Sequence, residues 1–136
     1  MPLTTFDSRE LEAFTRAFEY LFNHGDPASM TSYYTEDARL MAQGMEPIRG
    51  QAAIDDFWRE AISRSTAAQA RRTIRLHESS SSGDLGYALC TVTVEIPSGT
   101  GAADASISVW DATIWHRDPN GQWRIAVDIS TPLPSH

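Results

Sequence analysis

Apolar side chains recur at helical spacing in the first half of the chain. The longest such run follows Asp7, which can cap a helix, and is closed by a glycine. Its apolar positions are Leu11, Phe14, Phe18 and Leu21. Asp26 and Pro27 form a capping and first-turn pair, so a second, short helix is predicted to continue to about Tyr34. A third helix is predicted over residues 54–62, where the same spacing returns.

The second half of the chain alternates between apolar and polar residues, which is typical of strands. The strands are predicted at residues 73–78, 85–96, 106–116 and 123–130, with a shorter one at 38–41. Residues 79–84 contain a run of serines and are predicted to form a polar turn. Residues 118–121, Asp-Pro-Asn-Gly, predict a hairpin turn. Residues 131–136 hold two prolines and are predicted to form a loose tail.

This order of elements predicts an α+β domain. Three N-terminal helices would pack on one face of a strongly curved, mostly antiparallel sheet. We expect residues 1–136 to form one domain with its core at about residues 7–130. A chain of 136 residues can bury a sufficient core without a disulfide or a structural metal.

Composition narrows the classes of partner. Eleven Lys and Arg residues against eighteen Asp and Glu residues give a net charge of −7, which opposes binding to nucleic acid or to an anionic membrane. No apolar run suits a membrane span or a signal peptide, so we expect a cytoplasmic protein. Cys90 is the single cysteine and is predicted to be a core residue. With four scattered histidines, no metal site and no cofactor are expected.

Six short segments occur in an order that resembles the nuclear transport factor 2-like superfamily, and within it the SnoaL-like and ketosteroid-isomerase-like branches. The segments are Asn23-His-Gly-Asp26, Tyr33-Tyr-Thr-Glu-Asp-Ala38, Ile48-Arg-Gly50, Ile54 to Trp58, Gly83-Asp-Leu-Gly-Tyr87 and Gly121-Gln-Trp-Arg-Ile125. The resemblance covers about residues 7–130 and implies a cone-shaped fold whose mouth opens on a mostly apolar pocket. The superfamily includes isomerases, epoxide hydrolases, dehydratases, cyclases and non-catalytic binders, so the resemblance implies a fold and leaves the function open.

Two enzymes of this superfamily provide specific comparisons. The resemblance to ketosteroid isomerase implies catalytic positions at Phe18, near Ala42 and near Thr113, and none of these carries the required tyrosine or aspartate. The resemblance to limonene-type epoxide hydrolases implies two aspartates on strands that flank an arginine. The implied arginine position is Val109, so that arginine is missing.

Strand alternation supplies two candidate acids. If Thr113 faces the interior, Asp111 faces it too, and Trp115 shares that face. The same resemblance, carried across the hairpin to the last strand, implies that Ala126, Asp128 and Ser130 face inward there. Two adjacent carboxylates do not both ionise readily, so one could act as an acid and the other as a base.

A structural role for each aspartate is the alternative. A buried aspartate often accepts a hydrogen bond from a backbone amide or from a neighbouring arginine or aromatic residue. Arg39, Arg124 and Trp58 are the available partners for such a role.

The leading interpretation is a SnoaL-like protein that binds a small apolar molecule. Catalysis without a cofactor, as a cyclase, isomerase, dehydratase or hydrolase, would use Asp111 and Asp128. The predicted substrate-binding residues are Tyr34 as a hydrogen-bond donor, Trp58 and Phe18 as walls, and Thr113 and Trp115 beside them. The alternative is a non-catalytic homodimeric binding or association module, which would pair through the outer sheet face at Trp110, Ala112 and Ile114.

Overall fold

A computed structural model of the chain describes residues 3–99 and 104–133. The helices are Ser8–Asn23 (α1), Pro27–Thr31 (α2) and Gln51–Ala67 (α3). The strands are Tyr34–Met41 (β1), Ile48–Arg49 (β2), Arg71–Ser82 (β3), Leu85–Ile96 (β4), Ala105–Arg117 (β5) and Trp123–Pro132 (β6). Over these residues no helix is both long and apolar enough to cross a bilayer.

The strands form one six-stranded mixed sheet in the order β2-β1-β6-β5-β4-β3. The β1 and β6 strands run parallel, and every other neighbouring pair is antiparallel. The predicted α+β class is therefore confirmed. The helices do not form one N-terminal block, since β1 and β2 lie between α2 and α3.

The first helix covers one face and one edge of the sheet. Leu11, Phe18 and Phe22 are its buried apolar residues and lie in the main core. Its polar side chains bond the outermost strand, β3: the Glu19 carboxylate accepts a hydrogen bond from the Ile74 N–H at 2.6 Å, and Arg16 donates to the carbonyl of the same residue. These bonds occupy backbone groups that an edge strand would otherwise leave unpaired.

Several predicted boundaries are wrong. The second helix ends at Thr31 rather than near Tyr34, because Tyr34 already begins β1. The serines at 79–82 lie in β3, where they pair with residues 85–88, so the turn reduces to Gly83 and Asp84. Polar side chains are compatible with a strand there, because that end of the hairpin is exposed. The predicted loose tail begins with two strand residues, 131 and 132, and residues 134–136 lie outside the described part of the chain.

A bulge in β6 changes which side chains face the interior. Trp115 pairs with Ile125, whereas its neighbour Ile114 pairs with Val127, so Ala126 is the extra residue on β6. Ile125 is therefore buried and Ala126 only partly so, which corrects the prediction that Ala126 faces inward. Beyond the bulge the predicted alternation holds, and Asp128 is buried.

Gly86 is buried in β4 under the ring of Phe6. A Cβ atom at this position would lie 2.7 Å from the nearest Phe6 ring carbon, and the ring itself packs against Trp115 and Trp123. We expect Gly86→Ala to lower the free energy of unfolding by about 1–3 kcal/mol, because a packed ring must move. Urea unfolding measures this effect. In a Phe6→Ala background the glycine substitution should cost much less, and an equal cost in both backgrounds would contradict the explanation.

Candidate functional site

Two aspartates from neighbouring strands face the same interior space. Asp128 on β6 lies opposite Thr113 on β5, and Asp111 lies two residues further along β5, opposite Ser130. Side chains placed diagonally across an antiparallel pair are within reach of each other. Burial and the neighbouring Asp128 charge raise the pKa of the Asp111 carboxyl group, so the two groups are electrostatically coupled.

Tyr34 holds the Asp128 carboxylate. The hydroxyl group of this fully buried residue donates to Asp128 Oδ2 at 2.7 Å. Burial and the Asp128 charge raise the pKa of Tyr34 well above 10, so the phenol stays protonated and remains a donor. The Gln51 side chain bonds the Tyr34 carbonyl at 2.8 Å, which ties the start of β1 to the start of α3.

Asp111 is the member of the pair that retains a proton. Burial raises the pKa of Asp111 well above 3.8, the charge and hydrogen bond of Asp128 raise it further, and the Arg72 charge acts in the opposite direction. The Asp111 Oδ1 atom is buried and has no hydrogen-bond partner among the described residues. The carboxyl group therefore keeps hydrogen-bonding capacity that the fold does not use.

Arg72 brings a positive charge to the pair. Its guanidinium is enclosed, although the residue as a whole keeps some exposed surface. The group lies over the Phe22 ring at 4.1 Å and near the Trp58 ring at 5.1 Å. Burial lowers the pKa of Arg72, and the charges of Asp111, Tyr34 and Asp128 raise it. An arginine remains charged under such a shift, so the cluster holds a cation.

Two cavities adjoin this cluster. One of about 30 Å³ lies below α1, and one of about 70 Å³ lies toward β1 and α3. Both are lined by Arg72, Val92, Asp111 and Asp128. Each exceeds the volume of roughly 10–15 Å³ that one water molecule needs, and both are smaller than the 300–1,000 Å³ typical of ligand pockets. A ligand of more than a few heavy atoms therefore requires the lining side chains to move.

The other predicted site residues take different positions. Phe18 and Thr113 line the smaller cavity, and Trp58 lines the larger one. Trp115 is fully buried but does not line either of these cavities; its indole N–H donates to the Thr113 hydroxyl at 2.8 Å. Trp115 therefore positions Thr113 from behind instead of forming a wall.

The arginines that could hold the aspartates in a purely structural role do not bond to them. Arg124 pairs with Asp118 at 3.2 Å and also donates to the Ser32 carbonyl, and Arg39 is exposed. Asp128 instead accepts the Tyr34 hydrogen bond. The carboxylate is thus satisfied by the fold on one oxygen and shares its remaining capacity with Asp111.

The single cysteine is a buried core residue, as predicted. Cys90 pairs with Asp111 across β4 and β5 and lines the smaller cavity. Burial raises the pKa of its thiol to about 12, so it is a neutral group at physiological pH.

Within residues 3–99 and 104–133, no three His, Cys, Asp or Glu side chains come together as a possible metal site.

Comparison with known proteins identifies the family. Residues 14–125 match the SnoaL-like domain. The chain belongs to the SnoaL-like family. No curated protein matches it at a significant level.

Solved structures share this fold at low sequence identity. A nuclear transport factor 2-like protein of Novosphingobium aromaticivorans with a cystatin-like fold has 18% identity and a TM-score of 0.75, over 97% of this chain and 94% of that one. A candidate dehydratase of the same superfamily from Streptomyces avermitilis has 13% identity and a TM-score of 0.74, over 95% and 98%. A candidate calcium/calmodulin-dependent protein kinase II association domain from Xanthomonas campestris has 15% identity and a TM-score of 0.69, over 100% and 94%. These likenesses establish the fold alone.

Arg72 is a site residue that the sequence pattern does not predict. The resemblance to epoxide hydrolases implies an arginine at the position of Val109 on β5, whereas the guanidinium beside the aspartates comes from β3. A signal existed, because Arg72, Ile74 and Leu76 alternate on the inward face of β3. The alternation predicts a strand that begins at residue 73, so Arg72 lies one residue outside the predicted strand.

The proton on Asp111 predicts a pH dependence of stability. A carboxyl group whose pKa is raised by folding contributes fully below its unfolded pKa of about 3.9, and the contribution is lost as the pH rises through the folded value. Asp111→Asn should therefore become more stable relative to wild type as the pH rises above about 4, by at most about 1.4 kcal/mol per pH unit. Urea unfolding between pH 4 and pH 9 tests this.

Asp56→Asn is the matched control, because Asp56 is exposed on α3. Curves for wild type and Asp111→Asn that stay parallel over this range would show that the Asp111 carboxyl does not hold a proton in the folded state.

Proposed function

We propose that this SnoaL-like protein is an acid–base enzyme that needs no cofactor and acts on a small, mostly apolar molecule. Asp111 serves as the acid and Asp128 as the base. The supporting observation is that Asp111 and Asp128 both line two cavities on the inner face of the sheet, where burial and the Asp128 charge raise the pKa of Asp111. When two neighbouring carboxyl groups lie in different environments, their pKa values differ, and one can then act as the acid and the other as the base.

The roles follow from the partners of each group. Asp128 is positioned by the Tyr34 hydrogen bond at 2.7 Å, and in this proposal it takes the role of the base that accepts a proton from the substrate. Burial and the Asp128 charge raise the pKa of Asp111, which favours its protonated form, so in this proposal Asp111 donates the proton. Tyr34 is a positioning residue in this proposal, because its bond fixes the carboxylate without needing to touch the substrate.

This pair suits reactions that move two protons at neighbouring atoms. In a dehydration the base removes a proton from carbon while the acid protonates the departing hydroxyl group, which leaves as water. The description of the Streptomyces avermitilis relative as a candidate dehydratase is consistent with such chemistry in this fold. Isomerisation and ring opening of an epoxide by water use the same two roles.

The cavity walls favour an apolar substrate body. The smaller cavity is lined mostly by apolar side chains of α1 and of the inner sheet face. The lining residues on α1 are Leu11, Phe14, Thr15 and Phe18. Phe14 and Phe18 pack on each other at 5.2 Å between ring centroids, so their movement would open this cavity toward α1. The polar contacts are confined to the Asp111, Asp128 and Arg72 cluster.

Asp128→Asn tests the base. We expect it to lower turnover by about a hundredfold or more, because it removes a general base, and to leave the melting temperature nearly unchanged, because the amide can still accept from Tyr34. Three compact probes report the possible reactions: α-hydrogen exchange of cyclopentanone in D₂O, dehydration of 3-hydroxycyclopentanone, and hydrolysis of cyclopentene oxide. NMR follows all three.

Asp56→Asn on the surface should retain the wild-type rates. Wild-type rates no greater than those of buffer for all three probes, or equal rates in wild type and Asp128→Asn, would argue against the acid–base function.

The outer face of the sheet supports a second role, as a homodimeric association module. Tyr87, Ile114 and Ile129 share this face, and Tyr87 and Ile129 are 43% and 40% exposed. A groove of about 380 Å³ adjoins it between the serine end of β3 and β4. Exposed apolar residues on one face favour pairing with a second copy. The Xanthomonas campestris structure, described as a candidate association domain, has the same fold. Both roles can coexist, because the cavities lie on the opposite face.

Ile129→Lys tests this pairing. We expect the wild-type chain to sediment as a dimer at micromolar concentration, and the variant to sediment as a monomer, because a charge would be buried in the interface. Ile107→Lys is the matched control, since Ile107 is 57% exposed but has the opposite parity on β5. A monomeric wild type, or the same shift in both variants, would contradict pairing through this face.

A further inference from the structure

Unpaired polar atoms gather at the larger cavity. Trp58, Arg72 and Asp111 all line it, and each contributes a buried atom without a hydrogen-bond partner in the described residues: Trp58 Nε1, Arg72 Nε and Asp111 Oδ1. Two of these atoms are obligate N–H donors. The Trp58 indole lies near the Tyr34 hydroxyl without reaching hydrogen-bond geometry. Buried donors without acceptors are costly in a fold, so their concentration at one cavity indicates a ligand that supplies the acceptor.

We propose that the larger cavity is a carbonyl subsite, in which Arg72, assisted by Trp58, binds the carbonyl oxygen of a neutral ketone-like substrate. The proposal rests on the proposed acid–base function and names its substrate class. The oxygen would accept from the Arg72 and Trp58 N–H groups, while the rest of the substrate extends along the apolar walls toward the carboxyl pair.

The backbone of Arg72 is held for this task. The Asn23 side chain at the end of α1 bonds it twice: Nδ2 donates to the Arg72 carbonyl at 3.0 Å, and Oδ1 accepts from the Arg72 N–H at 2.9 Å. The guanidinium is then confined by the Phe22 and Trp58 rings. A donor fixed before binding loses little freedom on meeting its acceptor, so it stabilises developing charge effectively.

The charges favour a neutral carbonyl over a carboxylate. Arg72 carries one positive charge, and the proposed acid–base pair, with Asp111 as the protonated acid and Asp128 as the base, carries one negative charge, so the cluster is close to neutral. A substrate carboxylate would add an uncompensated buried negative charge, which is unfavourable. A ketone adds no charge when it binds, and develops it only in the reaction.

The reaction step balances with these groups. Asp128 removes a proton from the carbon next to the carbonyl, the electrons of that C–H bond form a carbon–carbon double bond, and the carbonyl electron pair moves to oxygen. The resulting enolate oxygen lies against the Arg72 guanidinium. Return of a proton from Asp128 to the same carbon restores the ketone. In a β-hydroxy ketone the enolate electrons instead re-form the carbonyl and a double bond between the α and β carbons as the β carbon–oxygen bond breaks, and Asp111 protonates the departing hydroxyl group, which leaves as water.

The infrared carbonyl band of bound ¹³C-labelled cyclopentanone tests the subsite without turnover. In wild type this band should lie at lower frequency than in water, because the oxygen accepts from a cation. In Arg72→Met it should move toward the frequency found in an apolar solvent, and the Kd should rise by about tenfold or more, as expected for loss of a charged hydrogen bond. Arg71→Met is the matched control, since Arg71 is the exposed neighbour on β3 and should leave both values unchanged.

An unchanged band in Arg72→Met, or no binding of cyclopentanone to wild type, would overturn the subsite. If Arg72→Met does not fold, Arg72→Lys serves in its place: it keeps the charge without the Nε–H donor and should show a smaller shift, and an unchanged band there overturns the proposal equally. Trp58→Phe should weaken the shift in part.

The subsite and the acid–base function fail separately in this design. Asp128→Asn should keep the shifted band while losing α-hydrogen exchange. A shifted band in wild type without exchange would retain the subsite and reject the base, whereas exchange that survives in Arg72→Met with an unshifted band in wild type would retain the base and reject the subsite.

Discussion

The coupling between two carboxyl groups on the inner face of the sheet is the constraint on which the candidate site depends. Burial and the Asp128 charge raise the pKa of Asp111, which opposes ionisation of both groups at once. Every neighbouring feature is consistent with that restriction: Tyr34 stays protonated and donates to Asp128, and Arg72 balances the remaining negative charge. The charges of Asp111, Asp128, Tyr34 and Arg72 act on one another, so the cluster is best regarded as one unit instead of four independent residues.

Backbone geometry brings these groups together from distant parts of the chain. The bulge at Ala126 sets which side chains of β6 face inward, and the parallel pairing of β1 with β6 brings Tyr34 beside the same strand. On the opposite edge, Asn23 joins the end of α1 to Arg72. Four strands and one helix therefore position a cluster only a few side chains wide. Sites carried by regular elements hold their geometry more closely than sites on loops.

The arginine beside the two aspartates comes from a different strand than the resemblance to epoxide hydrolases implies. Val109 occupies the position implied by the epoxide hydrolase resemblance, and it lines the larger cavity as an apolar wall. A guanidinium reaches the same pair from β3, between two aromatic rings. The charge composition of the site is thus similar, while the direction from which the cation approaches differs. Because electrostatic stabilisation depends on direction, this difference would affect which substrate atom the cation meets in the proposed acid–base function.

The sequence by itself determined the class of fold and the candidate acids. Helical spacing located α1, strand alternation located β4 to β6, and parity along β5 placed Asp111 and Thr113 on one face, because these signals are local and periodic. The membership of the cluster was decided only by tertiary structure. Arg72 and Asp111 are brought together by long-range pairing across β3, β4 and β5, and the bulge that places Ile125 inward has no local sequence signature. Cavity size likewise depends on how side chains from several elements pack against each other, which no periodic pattern along the chain records.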